Sequence, residues 1–149
     1  MSGLGNEAIT VSDSGSIAAS TLSAIAAVNT SGTITATSAS TVTGTASEII
    51  ASFGNSTITE ASDVAITVNP GTTASLAQAR SIDGYTTGVV TATIADTRES
   101  DLVGSSPLLD ANGNNAFTVT IGTADAEITA ANLTLSLIHI SEPTRQSLI

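Results

Sequence analysis

The stretch that decides the fold is Ala8-Ile9-Thr10-Val11, because it returns as Ala65-Ile66-Thr67-Val68 and again as Ala116-Phe117-Thr118-Val119. A second phrase, at 32–37, follows the first copy, and its counterpart at 88–93 follows the second copy at nearly the same distance along the chain. Two landmarks at matching spacing predict an array of repeated units, each of which buries its apolar face against its neighbours.

Short strands are predicted wherever threonine alternates with small or β-branched apolar residues. One face of each strand would carry Ile, Val, Ala and Phe inward, and the other would carry Thr outward. The predicted strands are residues 9–11, 33–37, 41–43, 57–59, 66–68, 90–94 and 117–121.

Helices are predicted between these strands. An alanine-rich stretch at 17–28 has apolar residues at helical spacing, and a shorter helix is predicted at 97–103. Thr45 with Glu48 forms a capping box before a helix that Gly54 ends, and Ser75 begins a similar helix that ends at Gly84.

The alternation of strands and helices, at about 24 residues per strand–helix step, predicts an α/β solenoid of repeated units with a parallel sheet covered by helices on one face. The alternative is an all-β array of immunoglobulin-like sandwich modules, against which the capping boxes and alanine runs argue. We divide residues 3–134 into units at 3–57 and 58–110 and a truncated unit at 111–134.

Residues 135–149 differ in composition from the rest of the chain. Residues 135–145 resemble the translation of a sequencing-library transposon adapter, and they contain the only histidine, His139. We therefore treat residues 135–149 as a non-native tail. The expectation is a gene fragment from shotgun or metagenomic assembly, whose natural coding ends near Thr134.

Composition excludes several classes of function. There are 13 acidic residues against three basic ones, and the net charge of −10 argues against binding to nucleic acid or to acidic membrane surfaces. The absence of cysteine removes disulfides, thiolate nucleophiles and zinc–thiolate sites. No apolar run approaches the length of a membrane span.

Candidate chemistry is sparse. Asp110, Asn112 and Asn114 place oxygen side chains at alternate positions, as calcium loops do, although Asn112-Gly113 is equally typical of a tight turn. Serine and threonine are abundant, but no base that could activate them is evident once His139 is set aside. We therefore predict no catalytic residues, no enzyme activity and no cofactor other than calcium.

The outward threonines form a candidate surface. A flat, regular array of threonine hydroxyls and methyls can order water in an ice-like lattice, provided that the rows stay in register across several steps. The alternative is an ordinary exposed sheet. The predicted ladder consists of Thr10, Thr33, Thr35, Thr67, Thr91, Thr93, Thr118 and Thr120.

A resemblance covers most of residues 3–134. The phrases GLGNEAITVSD, SIAASTLSAI, TSGTITATSASTVTGTASEIIASF, TTASLAQARSIDGYTTGVVTATIADT, NNAFTVTI and EITAANLT resemble repeats in very long secreted or surface proteins of marine bacteria and cyanobacteria. The resemblance implies a fragment of a giant adhesin-like or cell-envelope array, at the cell surface or outside the cell. The chain itself is acidic and rich in threonine.

Two functions follow as expectations. The first is a structural or adhesive repeat segment without catalytic activity, whose partners are neighbouring repeats of the parent protein. Its open array ends would also allow a homo-oligomer or filament to form. The alternative is a binding module for ice, glycan or calcium on the threonine-rich face. Neither expectation includes nucleic acid or membrane insertion.

Overall fold

The computed structural model describes residues 5–97 and 114–121. Within them the chain forms eight strands and three helices. The strands are β1 (Ile9–Thr10), β2 (Ser16–Ala18), β3 (Ile34–Ala36), β4 (Thr41–Gly44), β5 (Ile58–Glu60), β6 (Ala65–Val68), β7 (Val90–Thr97) and β8 (Ala116–Ile121). The helices are α1 (Ala19–Val28), α2 (Ala46–Phe53) and α3 (Leu76–Asp83).

The strands form two parallel sheets. The three-stranded sheet has the order β1-β3-β5, and the five-stranded sheet has the order β2-β4-β6-β7-β8. Ile9 pairs with Ile34 and Ile34 with Ile58, so each strand pair advances along the chain by nearly the same offset. The five-stranded sheet keeps this offset, since Ile66 pairs with Val90. The predicted step of about 24 residues is therefore the distance along the chain between paired residues in both sheets.

Apolar side chains line up across each sheet because the offset keeps identical positions on the same face. The inward residues of the interior strands, such as Ile34, Val42, Ile66 and Val90, are fully buried. The three helices each place one large aliphatic side chain in the shared core, and these side chains are fully buried as well: Leu22, Ile49 and Ile82. Burial of each such side chain stabilises the fold by about 1.5–3 kcal/mol.

The helices α2 and α3 begin where their sequences predict. Thr45 and Ser75 each cap a helix with a complete capping box, in which the Glu48 or Gln78 side chain returns to the backbone N–H of the capping residue. Ala18 precedes α1 and supplies no side-chain cap. The three helices pack side by side, α1 against α2 and α2 against α3.

The structure confirms an α/β fold with parallel sheets, and the all-β alternative is wrong because three helices accompany the strands. Two details differ from the prediction. There are two parallel sheets instead of one. Residues Ser16–Ala18, expected mostly within the first helix, form β2, because Ile17 pairs with Val42 and is buried in the core.

The start of the predicted helix at 97–103 is also different, since Thr97 is the last residue of β7. The rest of that segment lies outside the described residues, as do the tail at 135–149 and most of the unit at 111–134.

The repeated phrases lie side by side as paired strands. Ile9 of the first phrase pairs with Ile34 of the second, and in the next copy Ile66 pairs with Val90. The first of these pairs belongs to the three-stranded sheet and the second to the five-stranded sheet. Each copy of the repeat therefore forms the same pair of strands, but the two pairs belong to different sheets.

Candidate functional site

A row of threonines crosses the outward face of the three-stranded sheet. Thr10 pairs with Thr35, and Thr35 pairs with Thr59. Thr10 and Thr59 are exposed, while Thr35 in the middle is half-buried. The row follows from strict alternation, because the inward positions immediately before these threonines are taken by Ile9, Ile34 and Ile58.

A second row crosses the five-stranded sheet. Thr43, Thr67 and Thr91 are paired in succession, with Ala18 and Ala116 at the two ends of the row. Two residues further along these strands, on the same face, Thr93 pairs with Thr118, and both are exposed. The outward positions of this sheet carry small and uncharged residues: Ser16, Ala18, Thr41, Thr43, Ala65, Thr67, Thr91, Thr93, Ala116 and Thr118.

Most of the predicted ladder is thus placed in one of these sheets. Thr33 is exposed immediately before β3, and Thr120 lies within β8, where only its backbone is described. The ladder omitted Thr43 and Thr59, which complete the two rows of three. Both lie in strands that the sequence predicts, and the register alone shows which threonines become neighbours.

Each row lies on its own sheet, within which the spacings are fixed. Neighbouring strands of a sheet lie about 4.8 Å apart, and alternate residues along one strand lie about 6.6 Å apart. Each position offers a hydroxyl, which donates and accepts, and a methyl group. Thr43 already donates from its hydroxyl to the Ile17 carbonyl at 3.4 Å, whereas Thr91 and Thr93 are exposed to water.

A carboxylate occupies one inward position. Glu60 pairs with Ala36 on β3, so it takes the face that Ile58 occupies two residues earlier. The fully buried Ser52 of α2 donates from its hydroxyl to Glu60 Oε1 at 3.1 Å. Burial raises the pKa of Glu60 above its usual value, and the hydrogen bond from Ser52 partly opposes that shift. The strand predicted from the sequence ended at Thr59, so this inward placement was missed, although extending the alternation of Ile58 and Thr59 by one residue indicates it.

The raised pKa predicts a pH-dependent stability. Because folding favours the protonated carboxyl of Glu60, its contribution to stability is fully present below the unfolded pKa and is lost as the pH rises through the folded pKa. Glu60→Gln should remove this loss and be more stable than the parent chain near pH 7. Urea unfolding between pH 4 and pH 7 measures the effect.

The matched control for this prediction is Glu48→Gln. Hydrogen bonds from the Thr45 backbone and hydroxyl lower the pKa of Glu48, so its contribution is present above the unfolded pKa and is lost as the pH falls. The two variants should therefore change the pH profile in opposite senses. If Glu60→Gln keeps the profile of the parent chain, the assignment is wrong.

A buried pair, Asn115 and Asp83, holds the start of β7. Asn115 donates from Nδ2 to Asp83 Oδ1 at 2.6 Å and accepts with Oδ1 from the Val90 N–H at 2.8 Å. All three residues are buried. The side chain of Asn115 thus supplies the acceptor for a buried strand N–H, which would otherwise cost about 1–3 kcal/mol. No sequence signal singled out the pair of Asn115 and Asp83, since the two are 32 positions apart.

The proposed calcium ligands are mostly outside the described residues. Asp110 and Asn112 lie there, and Asn114 is exposed and donates from Nδ2 to the Thr87 carbonyl at 3.2 Å. Within residues 5–97 and 114–121, no three His, Asp or Glu side chains come together as a metal site. Calcium therefore stays a prediction, and binding to the folded chain should raise its melting temperature in millimolar calcium.

The described helices are too short to cross a bilayer, and none is a candidate membrane span. Comparison of the chain with protein-family models, with curated proteins and with solved structures finds no match.

Proposed function

We propose that this chain is a structural and adhesive repeat segment of a large bacterial surface protein. In this proposal it lies outside the cell, has no catalytic role and forms an α/β solenoid whose successive steps extend a stalk. The observation that carries the proposal is the nearly constant offset along the chain between neighbouring strands in both sheets.

The packing of the core supports a stacked arrangement. Each helix contributes one large aliphatic residue that is fully buried in the same core, namely Leu22, Ile49 and Ile82. At the last described strand, the inward Val119 is 36% exposed, whereas its partner Ile94 is 1% exposed. An apolar position that is covered in an interior strand and exposed in the outer described strand of the same sheet is one that a further repeat, or another copy, would bury.

The acids of the core do not resemble a catalytic pair. Glu60 is bonded to Ser52, and Asp83 is bonded to Asn115, so each carboxylate is held by a neutral partner from a different element. Both interactions join adjacent steps of the fold. They are consistent with the scaffold that the proposal describes.

Removing one complete step tests the proposed solenoid. Deletion of residues 34–57 joins Thr33 to Ile58, so Ile9 would pair with Ile58 and β2 with β6 at the offset that the sheets already use. We expect a shorter protein that still folds cooperatively, with reduced stability because one interface is lost. Circular dichroism and urea unfolding measure the outcome.

A deletion of half this length provides the control, because it shifts the strands out of phase. Removing residues 46–57 takes away α2 and leaves Ile58 only 12 positions after Ile34 instead of 24, so β3 and β5 cannot keep their pairing and this variant should not fold. If both deletions unfold equally, the steps are not interchangeable and the proposed array is wrong.

The threonine rows favour a second function, the binding of ice. An ordered water lattice needs hydroxyls and methyls in register over several steps, and Thr10-Thr35-Thr59 and Thr43-Thr67-Thr91 meet that condition. The five-stranded sheet is the stronger candidate because its outward positions carry small and uncharged residues.

An ice recrystallisation assay tests this second function. The parent chain should inhibit recrystallisation, and Thr91→Tyr should abolish the inhibition by placing a large ring above the exposed row. Thr21→Tyr, at an exposed position of α1, is the matched control and should keep the activity. Absence of inhibition by the parent chain would rule out ice as the ligand.

A further inference from the structure

We propose that the free edge of β1 is a docking edge for one more parallel strand, with the Ser-Thr-Val-Thr-Gly pattern of residues 40–44, supplied by a neighbouring module of the same polypeptide. This inference rests on the proposed repeat function. It specifies which sequence docks, on which edge and in which register.

The first argument is an identity between β1 and an interior strand. Residues 8–11 and 65–68 have the same sequence, and both pair with a following strand through the same atoms. Ile9 donates its N–H to Thr33 O at 2.9 Å, and Ile66 donates its N–H to Val89 O at 2.9 Å. On one edge, β1 and β6 therefore bond to the following strand in the same way. The opposite edge of β6 can then serve as a template for the opposite edge of β1.

That other edge of β6 is occupied by β4. The N–H of Ala65 donates to Ser40 O at 3.1 Å, and the N–H of Asn69 donates to Gly44 O at 2.8 Å. Between these bonds Ile66 pairs with Val42, inward beside inward. The template thus specifies a strand that places valine opposite isoleucine and threonine opposite threonine.

The corresponding donors of β1 are the N–H groups of Ala8, Thr10 and Ser12. None of the residues that the structure describes pairs with this edge, since β1 is the outer strand of its sheet. Ala8, Thr10 and Ser12 are all exposed. Their counterparts on β6 are half-buried, because β4 covers them: Ala65, Thr67 and Asn69.

The inward side of β1 shows the same deficit. Ile66 is fully buried, whereas the identical Ile9 is only partly buried at the periphery of the core. An uncovered parallel edge with an apolar inward residue exposes both unpaired backbone groups and apolar surface. A strand with the β4 pattern would pair these backbone groups and cover the apolar surface at the same time, as β4 does at β6.

A tandem variant delivers such a strand. Residues 8–64 are inserted ahead of Ala8, so that Gly44 of the added copy precedes Ala8 at the same distance along the chain by which Gly44 precedes Ala65. The probe is amide hydrogen exchange at Ala8 and Thr10 of the original copy. We expect exchange at least about tenfold slower than in the single chain, approaching that of Thr67, because strand pairing protects these amides.

Thr10→Pro in the original copy is the matched variant. The Thr10 N–H faces away from β3, so the proline should be tolerated by the single chain but should remove the added protection at Ala8 in the tandem chain. Protection that survives Thr10→Pro would contradict the assigned edge.

The outcomes separate this inference from the proposed function. If the added copy folds but Ala8 and Thr10 exchange as in the single chain, the docking edge is wrong and the repeat array stands. If the added copy does not fold, both are overturned. Dimers of the single chain that Thr10→Pro abolishes would assign the edge to a second copy of the chain and overturn the proposal in favour of self-association.

Discussion

Replacing Gly88 by alanine should lower the free energy of unfolding by about 3 kcal/mol or more, which is at the upper end of the range for single substitutions. A Cβ at this position would overlap the carbonyl oxygen of Asp63 and would lie 2.6 Å from that of Val64. Both obstacles are backbone atoms of the preceding step. The glycine is therefore required by close approach of two backbones.

The surrounding hydrogen bonds prevent the loop from moving aside. Thr86 donates from its hydroxyl to Val64 O at 2.6 Å, and the Gly88 N–H donates to the Thr86 hydroxyl at 2.9 Å. The Thr87 N–H donates to Ser62 O at 2.8 Å. Movement of the loop to relieve the clash would break at least one of these bonds. Two of them are accepted by backbone carbonyls of the preceding step, those of Val64 and Ser62.

Gly15→Ala is the matched control. A Cβ at Gly15 would meet no atom within 4 Å, and its backbone does not have a positive φ. We expect a change within about 0.5 kcal/mol. Urea unfolding followed by circular dichroism compares the two variants. Equal stabilities for Gly88→Ala and Gly15→Ala would show that the two steps are not as close as the structure places them.

Gly32 extends the argument to the first copy of the repeat. A Cβ there would overlap the carbonyl oxygen of Glu7 and would lie 2.7 Å from the amide of the buried Asn29. Gly32 and Gly88 begin the two copies of the second repeated phrase. The recurrence of glycine in the sequence thus has a physical cause, since each lies two residues before a strand, where the backbone is pressed against the step before it.

Local signals in the sequence were sufficient for α2 and α3 but not for the sheets. The capping boxes at Thr45 and Ser75 depend on residues three positions apart, and the structure confirms both. The division of the strands into two sheets depends on pairings between residues far apart in the chain, such as Ile9 with Ile34. No local pattern contains that information, so the alternation predicted where the strands lie but not which sheet each strand joins.

Strand β2 shows how packing overrides local preference. Ser16-Ile17-Ala18 is compatible with a helix by composition, and only the position of Ile17 beside Val42 makes it a strand. Glu60 is the opposite case, because extending the alternation of Ile58 and Thr59 by one residue indicates an inward side chain, although the predicted strand ended at Thr59. An acidic residue at an inward strand position was therefore a signal that could have been found.

The spacing of the repeats accounts for the change of sheet between copies. Ile58 is the residue two steps on from Ile9, since Ile9 pairs with Ile34 and Ile34 with Ile58. The second copy of the phrase places Ile66 beyond Ile58, in the other sheet. The period of the sequence is thus longer than two structural steps, and the same strand pair is built on a different face.

The second large effect is expected for Thr67→Pro. Alternate residues of a parallel strand bond to the same neighbour. The N–H groups of Ala65 and Asn69 donate to β4, so the N–H of Thr67 between them faces β4 as well. Proline removes this donor in the middle of a five-stranded sheet and introduces ring atoms against the neighbouring strand. We expect a loss of about 3 kcal/mol or more.

Thr10→Pro is the control within the same sequence context, because residues 8–11 and 65–68 are identical. Ile9 and Val11 donate to Thr33 and Thr35, which leaves the Thr10 N–H on the side away from β3. Proline is tolerated at such an edge. The change should therefore be less than about 1 kcal/mol. Thermal and urea unfolding of the single chain measure both variants. A Thr67→Pro variant as stable as Thr10→Pro would mean that β6 is an edge strand, and the five-stranded sheet would then be wrong.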